Sequence, residues 1–114
     1  MARSDEHAIQ SLLEVLLTHL LKWRYQANRR TRSWRVFIQN ARSDIQDRLA
    51  DSPSLRTRLP TLVARAYANA RRSAGAEMKI EEREWDQKSP SSRPWDVDKL
   101  LSDFWPDPAN GLEH

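Results

Sequence analysis

With 114 residues, 39% of them hydrophobic and 31% charged, the chain amounts to one globular domain rather than a disordered polymer. It has no cysteine, which excludes a disulfide framework, a thiolate metal site and a cysteine nucleophile. Its two glycines, Gly75 and Gly111, leave few positions suited to positive φ, so tight hairpins are disfavoured and helices are expected. The formal charge of +3 is unevenly spread. Residues 1–76 hold 14 Lys/Arg against 6 Asp/Glu, and residues 77–111 hold 5 against 9. A basic body followed by an acidic segment suggests either a partner surface or a tail that folds back on the body.

In chain order, Ser4 is a candidate N-cap, with Asp5 and Glu6 suited to the positive end of a helix dipole. Ile9, Leu12, Leu13, Leu16, Leu20 and Trp23 then recur at helical spacing to an end near Gln26. A second helix is expected from Thr31 or Ser33 to about Ala50. Its stripe of Trp34, Ile38, Ala41, Ile45 and Leu49 lies on one side. Asp51-Ser52-Pro53 reads as a stop and restart, with Ser52 as cap and Pro53 at the first helical position. A third helical region carries Leu55 to Ala74; Pro60 must kink or split it, and Gly75 is its expected terminator. Beyond it a short helix is expected over Met78–Trp85 and a loop over Asp86–Pro94. Asp96 then caps a last helix through Leu101, before Phe104-Trp105-Pro106.

The expected fold is therefore all-α: a small helical bundle of three main helices plus a Trp/Pro-rich C-terminal segment with a short helix. Residues 1–111 form a single domain. Leu112-Glu113-His114 reads as a vector-derived join to a histidine tag. The apolar stretch Ala8–Leu21 is interrupted by Gln10, Ser11, Glu14, Thr18 and His19, so neither a signal peptide nor a membrane span is expected. The default location is the cytoplasm.

The first helix is too apolar for a surface helix. At about 100° per residue its apolar positions cover an arc near 240°, leaving Ser11, Glu14, Thr18 and Lys22 on the polar side. Either the other helices and the Trp-rich tail cover this arc, or part of it packs on another copy of the chain. Leu13, Leu17 and Leu21 are the candidate self-association face.

Leu12–Arg35, reading LLEVLLTHLLKWRYQANRRTRSWR, together with DSPSLRTRLP at 51–60, AYANARR at 66–72 and the PW…LL…DFWP pattern between Pro94 and Pro106, resembles the bacterial domain-of-unknown-function family 29. The resemblance covers about 95 residues and implies an all-helical bacterial protein, with no activity, cofactor or catalytic residue to carry over. Members usually have a further helical stretch upstream of the matching part. Where that stretch covers the first helix, its absence here would leave the apolar arc open and favour self-association.

The chemistry-bearing candidates are few. Lys22, Arg24, Arg29, Arg30, Arg32, Arg35 and Arg42 lie in one acid-free segment with Trp23, Tyr25, Trp34 and Phe37. Guanidinium forks can bind phosphate and aromatics can stack on bases, so the segment 22–42 is a candidate nucleic-acid contact through Lys22, Arg24, Arg29, Arg30, Arg32 and Arg35. Equally, these arginines can answer Asp44, Asp47 and Asp51 or cap the first helix. His19 has Val15, Leu16, Lys22 and Trp23 at i±3 and i±4, no ligand set, and is expected to be half-buried on a backbone or hydroxyl partner. The acidic run Glu77, Glu81, Glu82, Glu84 and Asp86 lacks calcium-loop spacing. No serine elbow and no phosphate-binding glycine loop is present. The expected function is a non-enzymatic helical interaction module acting as a homodimer without cofactor or metal, with nucleic-acid binding as the alternative.

Overall fold

The periodic Leu/Ile run winds into a single long helix, around which the rest of the chain is arranged. The computed structural model describes residues 2–106; the tag-like end at 112–114 lies outside them. Helix α1 spans Ala2–Tyr25, α2 Arg32–Asp51, α3 Leu59–Glu77, α4 Glu82–Lys88 and α5 Val97–Leu101, with 3₁₀ turns at Ala27–Arg29 and Pro53–Arg58. No strand occurs among the described residues. The all-α bundle expected from the periodicity is the fold observed.

Helix α1 packs against α2 on one side and α3 on the other. This position explains its wide apolar arc, because a helix held between two neighbours needs an apolar face for each. Ile9, Leu13, Leu16, Leu17, Leu20 and Leu21 are all fully buried, each contributing about 1.5–3 kcal/mol relative to exposure. Leu13, Leu17 and Leu21 are thus core residues of one chain, and the self-association face expected there is corrected. The helix also begins earlier than Ser4. Its first turns are held from outside the helix, by Arg58 Nη2 at 3.5 Å from the Glu6 carboxylate.

The second helix starts at the earlier of the two expected points, with Thr31 as its cap, the hydroxyl accepting from the Trp34 amide at 3.1 Å. Pro53 stands at the start of a 3₁₀ turn, and Pro60 lies in the first turn of α3, where its missing N–H breaks no helical bond. The third region is therefore split rather than kinked. Gly75 does not end α3. A Cβ at Gly75 would lie 2.7 Å from Trp85 Nε1 and 2.9 Å from Cγ, so its role is to let the indole approach the helix. The reversal falls at Lys79, with φ 57°. Ile80 N–H donates to Gly75 O and Lys79 N–H to Ala76 O, both at 3.1 Å, the paired bonds of a Schellman motif. That reversal displaces the next helix past Met78. Glu81 caps α4 by accepting from the Arg83 and Glu84 amides, so part of the acidic run serves as a helix start. Asp96 caps α5 through Lys99 N–H at 2.8 Å.

The acidic C-terminal segment folds back on the body, and its tryptophans pin it there. Trp85 lies edge-on to Tyr25 at 5.0 Å, and its indole N–H donates to Arg71 O at 2.6 Å. Trp105 rests on Trp23 at 4.6 Å between centroids. Arginines interleave with these rings. Arg30 lies 4.6 Å from the Trp23 ring, Arg35 lies 5.3 Å from Trp23 and 5.0 Å from Trp105, and Arg42 lies 5.6 Å from Trp105 and 5.8 Å from Phe104. Each cation over a ring face is attracted by the ring quadrupole, more strongly where water is excluded.

Tyr67 on α3 anchors the same segment, its hydroxyl donating to Pro90 O at 2.6 Å. Burial pushes its pKa from 10.0 up to about 12, with the Arg71 charge opposing and Tyr25 adding slightly. A raised folded-state value gives stability that is complete below pH 10 and declines as pH climbs towards 12, because the unfolded chain releases the phenolic proton first. Denaturant melts should show this loss, on the order of 2 kcal/mol across the window. Tyr67→Phe should be less stable at neutral pH by about 1 kcal/mol, for the lost hydrogen bond, and should lack this part of the alkaline decline. An undiminished decline in Tyr67→Phe would assign it to other groups.

Candidate interaction face

Because α1 and α2 are joined by a short turn, they form an antiparallel hairpin, and one side of it faces solvent. Val15 is 40% exposed, Val36 43% and Phe37 49%; Val15 and Phe37 flank His19, while Val36 points about 100° further round α2 from Phe37. His19 connects the two helices: its ring lies 5.0 Å from Phe37, and its Nδ1 is 2.8 Å from Val15 O. The histidine is half-buried on a backbone partner, as its surroundings in the sequence indicated. Trp34 continues the apolar edge under Lys22, whose Nζ lies 4.8 Å from the ring centroid. Towards the other end of the hairpin, a groove between α1 and α2 is lined by Ser11 and Leu12 on one side and by Asp44, Asp47 and Asp51 on the other.

The six basic candidates are not gathered into one surface. Lys22 pairs with Glu77 of α3 at 2.9 Å. Arg24 is half-buried, 5.5 Å from the Tyr25 ring. Arg30 Nε donates to Trp23 O at 2.9 Å, supplying a cap for the end of α1. Arg35 stacks on Trp23 and Trp105. Arg29 and Arg32 are exposed at the turn. The segment's composition thus serves in good part to attach the tail, with Arg29 and Arg32 presented outward and Arg35 exposed beside the rings on which it stacks.

The sequence marks Phe37 as one of the aromatics of the basic segment rather than as an exposed apolar residue, and gives Val36 no role, although the helix wheel carries a signal for both. On the α2 wheel both fall off the stripe of Ile38, Ala41, Ile45 and Leu49, and an apolar residue off the stripe faces outward. Val15 was hidden for the opposite reason. It sits within the apolar arc of α1, which gives no hint where α2 and α3 leave a gap.

Arg42 lies on the far side of α2 from this face and is 6% exposed. Its Nε donates to Leu100 O at 2.8 Å and its Nη2 to Phe104 O at 2.7 Å. Burial lowers its pKa, and Asp103 opposes the shift. Among the described residues there is no group of three or more His, Cys, Asp or Glu placed to hold a metal ion. Nor is any described helix long and apolar enough to cross a membrane.

Fold and face together define a small all-α bundle built on a buried central helix, with one apolar seam open on its α1–α2 hairpin. A family model described as domain of unknown function DUF29 matches residues 1–105, and the chain belongs to that family. No curated protein and no solved structure shows significant similarity to it.

Proposed function

We propose that the chain is a non-enzymatic helical interaction module that self-associates through the α1–α2 seam. The observation that carries this reading is the concentration of exposed apolar side chains there. Val15, Val36 and Phe37 are the large hydrophobics at or above 40% exposure among the described residues, and all three lie on the two helices of one hairpin. Isolated exposed apolar residues are ordinary, but a grouped set on paired helices suits helix–helix docking. The homodimer expected from the first helix is thereby kept and moved from the core leucines to the seam.

Nucleic-acid contact, the alternative, draws mainly on Arg29 and Arg32, since Lys22, Arg30 and Arg35 are engaged within the fold. Light scattering during size-exclusion chromatography tests the main reading. The native chain is expected to elute at twice its 13.4 kDa mass, and Val15→Glu/Phe37→Glu at the single-chain mass with its helical circular dichroism intact. A native chain that stays at the single-chain mass at high concentration overturns it.

A further inference from the structure

The seam is polarised along its length. On α2 the positions Ser33, Phe37, Asn40, Asp44, Asp47 and Asp51 recur at steps of three and four, and all are exposed. On α1 the positions Ala8, Ser11, Val15, His19 and Lys22 recur in the same way at its edge. Such spacing keeps one row of side chains on one face of each helix, as helix–helix packing requires. Asp44, Asp47 and Asp51 stand at the end remote from the turn, with Arg48 among them. Arg29 and Arg32 stand exposed at the turn end, beyond Lys22, whose charge is paired with Glu77 of α3. Val15, His19 and Phe37 lie between the two.

We propose that the occupant of the seam is a second copy of the same hairpin, laid antiparallel about a two-fold axis passing near Asn40. This rests on the reading of the seam as a self-association surface. In such an arrangement the acidic end of each copy meets the basic end of the other, and the apolar middles meet on the axis. A two-fold contact must be self-complementary, and a surface with opposite charges at its two ends and apolar residues between is self-complementary only when antiparallel. Covering the whole outer face of the hairpin, ~30 Å long at 1.5 Å per residue of α2 and ~20 Å wide, would bury ~600 Å² per copy and ~1,200 Å² in all, the lower edge of the range for stable pairs.

Two full-length variants test the geometry: Asp44→Lys/Asp47→Lys, which makes both ends basic, and Arg29→Glu/Arg32→Glu, which makes both ends acidic. All four positions are exposed, and circular dichroism checks that the helices persist. Sedimentation velocity would measure each variant alone and the equimolar mixture. Each variant alone is expected to dimerise about tenfold or more weakly than the native chain, because like charges now face each other. The mixture should return to native affinity as a heterodimer with opposite charges at both ends. A native dimer whose two variants are not rescued by mixing overturns the antiparallel pairing and leaves self-association through the seam standing. A native chain that is monomeric throughout overturns both.

Discussion

Substituting Leu17→Glu is expected to unfold the protein, with loss of the cooperative thermal transition and of most far-ultraviolet helical signal, rather than to change its association alone. Leu17 has no exposure and lies on the central helix between α2 and α3. Truncating a buried leucine costs about 2–5 kcal/mol. Placing a carboxylate in the same site adds a desolvation cost of several kcal/mol. Together these approach or exceed the ~5–15 kcal/mol by which small domains are stable. Ala64→Glu is the control, since this position on α3 is exposed and lies outside the seam, so it should change stability by less than about 1 kcal/mol. A folded Leu17→Glu with a native melting temperature would mean that α1 is not the buried centre of the bundle.

Arg42→Ala is expected to cost about 3 kcal/mol and to free the C-terminal segment while the α1–α3 core persists. The guanidinium bridges two carbonyls, Leu100 O and Phe104 O, and hydrogen bonds to charged groups contribute about 1.5–3 kcal/mol each. Its removal leaves both acceptors without their donor and takes a cation from between Phe104 and Trp105. Arg42→Lys should recover little, because a single ammonium cannot reproduce the planar fork that reaches both oxygens. Amide exchange resolves the outcome. Protection should fall in α5 first, and in Leu16 and Leu20 of α1 only slightly. Unchanged protection of Leu100 in Arg42→Ala would show that the tryptophans hold the segment unaided.

The stripe on α2, its start near Thr31 and the cap at Asp96 follow from local chemistry: a 3.6-residue period and short polar side chains that accept from backbone amides. Residues near each other in sequence decide such features. The stop at Gly75 failed because the usual reason for glycine near a helix end competed with a contact from Trp85, ten positions later. Arg42 could be seen as a charge on an otherwise apolar stripe. Its acceptors, 58 and 62 residues away, could not be seen.

By itself the sequence determined that the chain is helical, where the main helices lie, that the first of them is over-apolar, and that no thiol chemistry is possible. Each of these depends on composition or on short-range periodicity. The tertiary structure decided what the apolar arc is for. A wheel reports how much of a helix avoids water, but not whether the cover comes from the same chain or from another. Two flanking helices bury Leu13, Leu17 and Leu21, and the large apolar side chains left exposed among the described residues are Val15, Val36 and Phe37. The tertiary structure likewise turned much of the basic segment from a surface into a fastening, because arginine stacks on aromatic rings and reaches carbonyls far away in the chain. Which apolar residue is left outside depends on how the helices pair, and that pairing is a property of the folded whole.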